Sequence, residues 1–298
     1  MLIQTIAELR KRKGQQPAMP TKLSDSTDRD GSVVSARPNN SHSHQNPYTL
    51  PVKLPPTNAP HYKLLALVMT GRANLVKRNS LRDSWFKDLD GKEASARFVI
   101  GTSPNNKDGL DDALKKEMAE FGDLIQIPSE DIYINLPLKL RDMYVWAAEN
   151  VLFDYVLKTD DDSFVVVQNI LKSLPSVPKK STWWSHFRCN WDRHTGGKWK
   201  EVGYTADKYP CFGCGGGNVF SQDIIYWIAE NSQFLLPYAN EDVTMGIWMA
   251  ATKVQRKEEP RFHVDRCQND MFTMPELKHT TVVQFHQNLV KCGKPCAC

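Results

Sequence analysis

Tyr-Val-Leu-Lys-Thr-Asp-Asp-Asp-Ser-Phe, residues 155–164, carries an apolar run into three consecutive carboxylates, Asp160, Asp161 and Asp162. With Val151, Leu152 and Phe153 ahead of it, the run has the length and the polar break of a buried strand. Three adjacent anions repel one another and resist desolvation. They are tolerable when fully solvated in a turn, which is common. The other arrangement gathers them about a divalent cation, as oxygen ligands that hold Mg or Mn against substrate phosphates.

Upstream of this strand, apolar periodicities alternate. Residues 63–70 (Leu64, Leu65, Leu67, Val68) read as a buried strand, and Ser80-Leu-Arg-Asp83 fits a capping box opening a helix through Trp85 and Phe86. Arg78 and Arg82 lie four apart, near one face of that opening turn. Strands are expected at 97–101 and 124–127, with a helix over 111–121. A second helix, over 138–150, has Tyr144, Ala147 and Ala148 at helical spacing and leads into the acidic strand. Alternation of this kind predicts an α/β fold, a mainly parallel sheet flanked by helices in a single domain. Ligands of such sheets bind at the carboxyl ends of strands, where Asp160, Asp161 and Asp162 stand.

Downstream, Tyr-Pro-Cys-Phe-Gly-Cys-Gly-Gly-Gly at 209–217 matches neither nucleotide-loop pattern. Gly215 and Gly216 would let the backbone form a close wall of a ligand pocket; the alternative is a plain turn. Ser221 is expected to cap a helix carrying Ile224, Trp227 and Ile228. Asn240 is a good N-cap, which puts Glu241 and Asp242 in the first turn of another helix. The helix dipole favours carboxylates there in any case. The functional reading is a general base fixed on a rigid element.

A 298-residue chain with 41% hydrophobic and 24% charged residues buries a sizeable core. The net charge of +4 comes without a basic tract interleaved with aromatics, which argues against a nucleic-acid surface. No stretch reaches the roughly 18 consecutive apolar residues of a membrane span. The charges at 10–13 follow a very short apolar piece, the reverse of a signal peptide, so no targeting segment is visible. Residues 1–60, rich in Pro, Ser, Asn and Asp, read as a disordered arm or stem containing the glycosylation sequon Asn39-Asn40-Ser41, and 61–298 as the folded domain. The seven cysteines include a Cys-x-x-Cys at 211 and 214 and a crowded tail at 292, 296 and 298. Zinc could be held by two such pairs, but their long separation favours secretory-pathway disulfides, with at least one thiol left over.

Taken together, Lys158-Thr-Asp-Asp-Asp162, Tyr209-Pro with its glycine run, Glu241-Asp-Val243, Arg-Asn-Ser-Leu-Arg-Asp-Ser-Trp at 78–85 and Tyr-Ile-Asn-Leu-Pro-Leu-Lys at 133–139 resemble the β-1,3-glycosyltransferases of the galactosyltransferase type, in order and approximate spacing, over roughly 62–298. Trp183-Trp184, Gly197-Lys-Trp199 and the cysteine-rich tail are similar to the branch that transfers N-acetylgalactosamine. Pro260-Arg-Phe262 is similar to the branch that builds the proteoglycan linker with galactose.

The resemblance implies a GT-A-like nucleotide-sugar transferase, inverting and metal-dependent, acting in protein glycosylation. Its catalytic domain would lie in the lumen on a Golgi or endoplasmic-reticulum membrane protein. It implies Mn (or Mg) held by Asp162 and Asp160 against the diphosphate of UDP-GalNAc or UDP-Gal, with Arg78, Arg82, Lys139, Asp161, Gly215 and Gly216 around the donor. Asp242, beside Glu241, would take the proton from a hydroxyl of a glycoprotein glycan, an acceptor ending in GlcNAc. The family's late histidine ligand points to His279, although Pro275 stands near the expected place. Readings that share part of the pattern are a linker-type galactosyltransferase, a non-catalytic sugar-binding relative, and a metal-dependent phosphohydrolase that needs only the acidic cluster.

Overall fold

The computed structural model describes residues 53–298. The arm expected over 1–60, with its sequon, lies outside the described residues apart from 53–60, which form no strand or helix. A seven-stranded sheet runs in the order β3-β2-β1-β4-β7-β6-β8. Its strands are β1 (His61–Met69), β2 (Ala94–Thr102), β3 (Leu124–Glu130), β4 (Leu152–Asp160), β6 (Thr182–Arg188), β7 (Phe212–Ser221) and β8 (Gln255–Glu258). A small ribbon pairs β5 (Phe164–Val165) with β9 (Thr273–Met274). The central pairs β1–β2, β1–β4 and β2–β3 are parallel, and β7 runs against both β4 and β6. The mainly parallel sheet flanked by helices is as the alternating periodicities predict.

Both faces of β1 are buried, which is why it reads as an unbroken apolar run. Leu64, Ala66 and Val68 join the core on one face, while Leu65, Leu67 and Met69 join the other. The first face is covered by α1 (Leu75–Arg82), α2 (Asp111–Phe121), α4 (Val167–Ser173) and α7 (His279–Cys292), which supply Leu81, Leu114, Ile170 and Val282. The second is covered by α3 (Leu136–Asn150), α5 (Gln222–Glu230) and α6 (Glu241–Ala250) through Met143, Ile225 and Met245.

The chain runs outward from β1 to β2 and β3, then returns to the other side of β1 as β4. That reversal leaves a crevice at the carboxyl ends of β1 and β4, the usual ligand position in such sheets. Met69 and Asp160 are register partners at its floor. Because β7 is antiparallel to β4, with Lys158 opposite Asn218, its glycine-rich start lies beside the acidic end of β4. The segment expected as a pocket wall or a turn is therefore a strand that forms a wall of the crevice.

Two local expectations differ. The first helix spans Leu75–Arg82, so Ser80 lies in its last turn and donates to Lys77 O (2.6 Å) instead of opening a helix, and Trp85 and Phe86 fall in a short 3-10 turn. Asn74 precedes that helix, but its side-chain amide is drawn to Asp161 and makes no cap. At α5, the Ser221 hydroxyl accepts from Thr182 N and donates to the Asp223 side chain, and makes no capping hydrogen bond to a backbone N–H of the helix.

Disulfides join Cys189 to Cys211, Cys267 to Cys296 and Cys292 to Cys298. Cys214 is the thiol left over, buried, with its pKa pushed up to about 11 by burial. The bonding of Cys211 and of the tail rules out zinc on those pairs.

Candidate active site

Strand alternation decides what stands at the end of β4. Lys158 and Asp160 are two apart, so both side chains point to the face covered by α6. There Asn240 caps α6, its Oδ1 accepting from Val243 N at 3.0 Å, which sets Glu241 and Asp242 in the first turn as expected. Gly246, one turn further on, lets α6 press onto β7, since a Cβ there would lie 2.8 Å from Phe212 Cβ and 2.9 Å from Cys211 O. Helix and strand thereby bring Glu241 and Asp242 down onto the end of β4.

The buried Lys158 ammonium lies 3.1 Å from Asp160 Oδ1, 3.6 Å from Asp242 Oδ1 and 3.8 Å from Glu241 Oε1. It makes no well-directed hydrogen bond to a protein group among the described residues, so its hold on the three is mainly Coulombic. One cation does not offset three carboxylates. Burial raises the Asp242 carboxyl to about 7, with Lys158 pulling it down and Glu241 and Asp160 pushing it up. Burial raises Asp160 to about 6, again against the pull of Lys158. The lysine, surrounded by anions, is held well above its ordinary value despite its burial.

The other oxygens of Asp160 and Asp242 converge on Gly215, where a Cβ would lie 3.2 Å from the first and 3.1 Å from the second. The glycine keeps open a small space faced by both carboxylates. Around it lies a cleft of about 650 Å³, lined by Asp160, Asp161, Asp162, Gly215, Gly216, Glu241, Asp242 and Lys139 among others. Such a volume lies within the range of small-molecule sites.

Asp161 lines the cleft with its carboxylate occupied. It accepts 2.7 Å hydrogen bonds from Thr70 Oγ1, Asn74 Nδ2 and Lys77 Nζ, and so ties the β1–α1 loop to the acidic turn. Asp162 is more open, with Lys77 Nζ 3.5 Å away. Lys139 is buried and donates to Thr70 O and to Asp131 Oδ1 at 2.7 Å; burial lowers its pKa.

Arg78 and Arg82 are not where a donor contact requires. Neither lines the cleft. Both bind Glu117 at 2.7 Å, and Arg82 also binds Asp123 at 2.7 Å. Arg78 further donates to the carbonyls of Gly71 (2.7 Å) and Arg72 (3.2 Å), so it shapes the loop that grips Asp161 from behind. His279 opens α7, exposed and outside the cleft lining. Two histidines line the cleft, His194 on the 189–211 segment and His263 beside the glycine strand. The Nδ1 of His263 accepts from Gly216 N at 3.4 Å; burial and the Arg188 cation lower its pKa. A Cβ on Gly216 would lie 3.0 Å from Pro275 and 3.1 Å from His263, so the two are neighbours across that glycine. An isolated histidine in an irregular segment, with backbone φ of 62°, carries no periodic signal that reading the sequence could use. Thr70, Asn74 and Lys77 were missed because their role depends on pairing β1 with β4.

The residues suit a hard divalent cation. Among the described residues no group of three or more His, Cys, Asp or Glu side chains is placed to hold a metal ion, so protein groups would supply only part of its coordination. A partial set of carboxylate oxygens, Asp160 Oδ2 beside open space and the accessible Asp162, is the arrangement that leaves coordination positions to water and substrate phosphates.

The galactosyltransferase family model matches residues 76–260, and the chain belongs to that family. A UDP-GalNAc:beta-1,3-N-acetylgalactosaminyltransferase 2 from Xenopus tropicalis is 40% identical over 191 residues, 63% of this chain and 39% of that protein. The chain thus spans well under half the length of that relative. Beta-1,3-galactosyltransferase 6 of Mus musculus is 30% identical over 245 residues, covering 78% of this chain and 75% of that protein. Among solved structures, a mannosyltransferase from Pyrobaculum calidifontis in complex with GDP-Man and Mn2+ is similar at TM-score 0.41 and 12% identity, over 70% of this chain and 57% of that one, a likeness too slight to carry an argument.

Proposed function

We propose that this chain transfers N-acetylgalactosamine from UDP-GalNAc to a glycan hydroxyl in β-1,3 linkage, with inversion, in protein glycosylation. The observation that carries the reading is the convergence of Asp160 and Asp242, from two different elements, on the space beside Gly215. Asp162 and Asp160 would hold Mn or Mg, which supplies positive charge to the departing UDP when bound. Asp242, on a rigid helix turn and titrating near neutrality, takes the proton of the acceptor hydroxyl as its oxygen attacks the anomeric carbon. The in-line attack breaks the bond to the diphosphate and inverts the anomeric centre. Lys158 and Glu241 orient the base. The β1–α1 loop and Asp161 shape the donor side, and His263 lines the same cleft beside Gly216.

A second reading, transfer of galactose, is favoured by the longer coverage of the galactosyltransferase relative. Three disulfides support an oxidising compartment, the lumen of the endoplasmic reticulum or Golgi. No helix among the described residues is long and apolar enough to cross a membrane, and we assign membrane anchorage by family resemblance alone. UDP release by the full chain, given UDP-GalNAc or UDP-Gal with Mn and a β-GlcNAc-terminated acceptor, tests the reading. GalNAc-selective turnover supports it, Gal-selective turnover moves the protein to the second, and absence of acceptor-stimulated release with both donors overturns transfer.

A further inference from the structure

One wall of the cleft is aromatic. It is built by the segment 189–211, closed at its ends by the Cys189–Cys211 disulfide. Within it Arg193 N donates to Asp207 O (2.7 Å) and Tyr209 N to Trp191 O (2.8 Å). The buried Glu201 carboxylate accepts from Gly203 N (2.6 Å), Tyr204 N (3.1 Å) and Ala239 N (2.7 Å), the last directly ahead of Asn240 and α6. The segment is therefore ordered before any ligand arrives and fastened to the helix that carries Asp242.

On this support Trp199 donates its indole N–H to Tyr133 Oη at 2.7 Å, yet the two residues stay 43% and 45% exposed. Trp191, 44% exposed, lines the same cleft with the Arg188 guanidinium 5.0 Å from its ring. Lys198 Nζ lies 4.6 Å from the Tyr133 ring centre and 5.3 Å from that of Trp199, leaving N–H donors at the rim. All of these line the cleft that holds Asp242. Scattered exposed aromatics need no explanation; three lining one cleft, with the polar edges of two joined to each other, mark a binding surface. Their ring faces carry negative charge density, which suits the weakly positive C–H faces of a pyranose.

The placement distinguishes acceptor from donor. Tyr133 leads into α3, which packs with α6 on the same face of the sheet. The diphosphate side is the opposite one, where Thr70, Asn74 and Lys77 surround the acidic turn below α1. In-line displacement brings the acceptor from the side away from the leaving diphosphate, and so from the side of Asp242. We infer that Tyr133, Trp191 and Trp199 are the acceptor subsite, stacking the terminal pyranose of the glycan whose hydroxyl Asp242 deprotonates. This rests on the sugar-transfer reading of the cleft.

The test uses the full chain with Mn, UDP-GalNAc and methyl β-N-acetylglucosaminide. Trp199→Ala should raise KM for the glycoside about tenfold, the scale of one lost aromatic stacking contact, without a matching rise in KM for UDP-GalNAc. Trp199→Phe, which restores a ring face, should recover most of the loss. An unchanged acceptor KM, or a loss carried by the donor KM, overturns the assignment. Saturation-transfer NMR of the same glycoside separates this from failure of the transfer reading. Binding by the wild type that Trp199→Ala abolishes supports the subsite even without turnover, whereas equal saturation, or none, in both proteins overturns it.

Discussion

Two buried clusters of opposite charge stand within this domain, and they are built differently. In one, Arg78 and Arg82 meet Glu117 and Asp123, two cations for two carboxylates, with the remaining guanidinium hydrogens given to backbone carbonyls and to Asn79. In the other, Lys158 alone faces Asp160, Glu241 and Asp242, and all three carboxylates line the cleft. The first is neutral and closed, and it acts as scaffold. The second carries surplus negative charge that the protein leaves uncompensated; on the proposed function, that is where a cation and a proton are taken up. Burial of charge by itself says nothing about function; the unbalanced count at a cavity does.

Breaking the open cluster should have the largest consequence. Asp242→Asn keeps the shape and removes the base, so transfer should fall by roughly 10²–10⁴-fold while Mn-dependent UDP binding persists. Rates near wild type would remove Asp242 from its role. Asp162→Ala should do the reverse and abolish Mn-dependent UDP binding, measured by calorimetry.

Breaking the closed cluster should damage stability instead. Glu117→Ala strands the Arg78 guanidinium in the interior, while Arg82 keeps Asp123, at a cost of about 3–5 kcal/mol in chemical denaturation. If the variant were as stable as the wild type but failed to bind UDP, the scaffold reading of Arg78 and Arg82 would be the one in error.

The two clusters should also differ in their response to pH. A base must be ionised, so transfer falls as pH drops through the Asp242 value of about 7. Lys158 lowers that value; Lys158→Met removes the pull and should move the acid limb of the rate profile to higher pH. A limb that stays in place or moves down would show that another group limits the rate.

The smallest effect is expected at the link between loop and acidic turn. Asn74→Ala removes one of three hydrogen bonds to Asp161, a loss of roughly 1.5 kcal/mol that should appear as a several-fold rise in KM for UDP-GalNAc. A change confined to the acceptor KM would mean that this loop serves the other side of the cleft.

Much of this was legible in the residues alone. β1, β2, α2, α3 and the acidic end of β4 follow from local apolar period and polar breaks. Asn240 announces the turn that carries Glu241 and Asp242. Those signals are local because backbone propensity, capping and burial of a stripe act over a few residues. Charge alone could not tell Arg78 and Arg82, which serve the scaffold, from Lys158, which serves the site. Nor could it select His263 over His279, or reveal that Asp161 binds a loop from 87 to 91 residues away while Asp162 stays open. Those outcomes depend on which strand lies beside which. Pairing β4 between β1 and a reversed β7 sets Lys158, Asp160 and Gly215 side by side and brings α6 down upon them. Coulomb energies and hydrogen bonds depend on separations of a few ångströms, and only the folded chain fixes separations between residues so far apart in sequence.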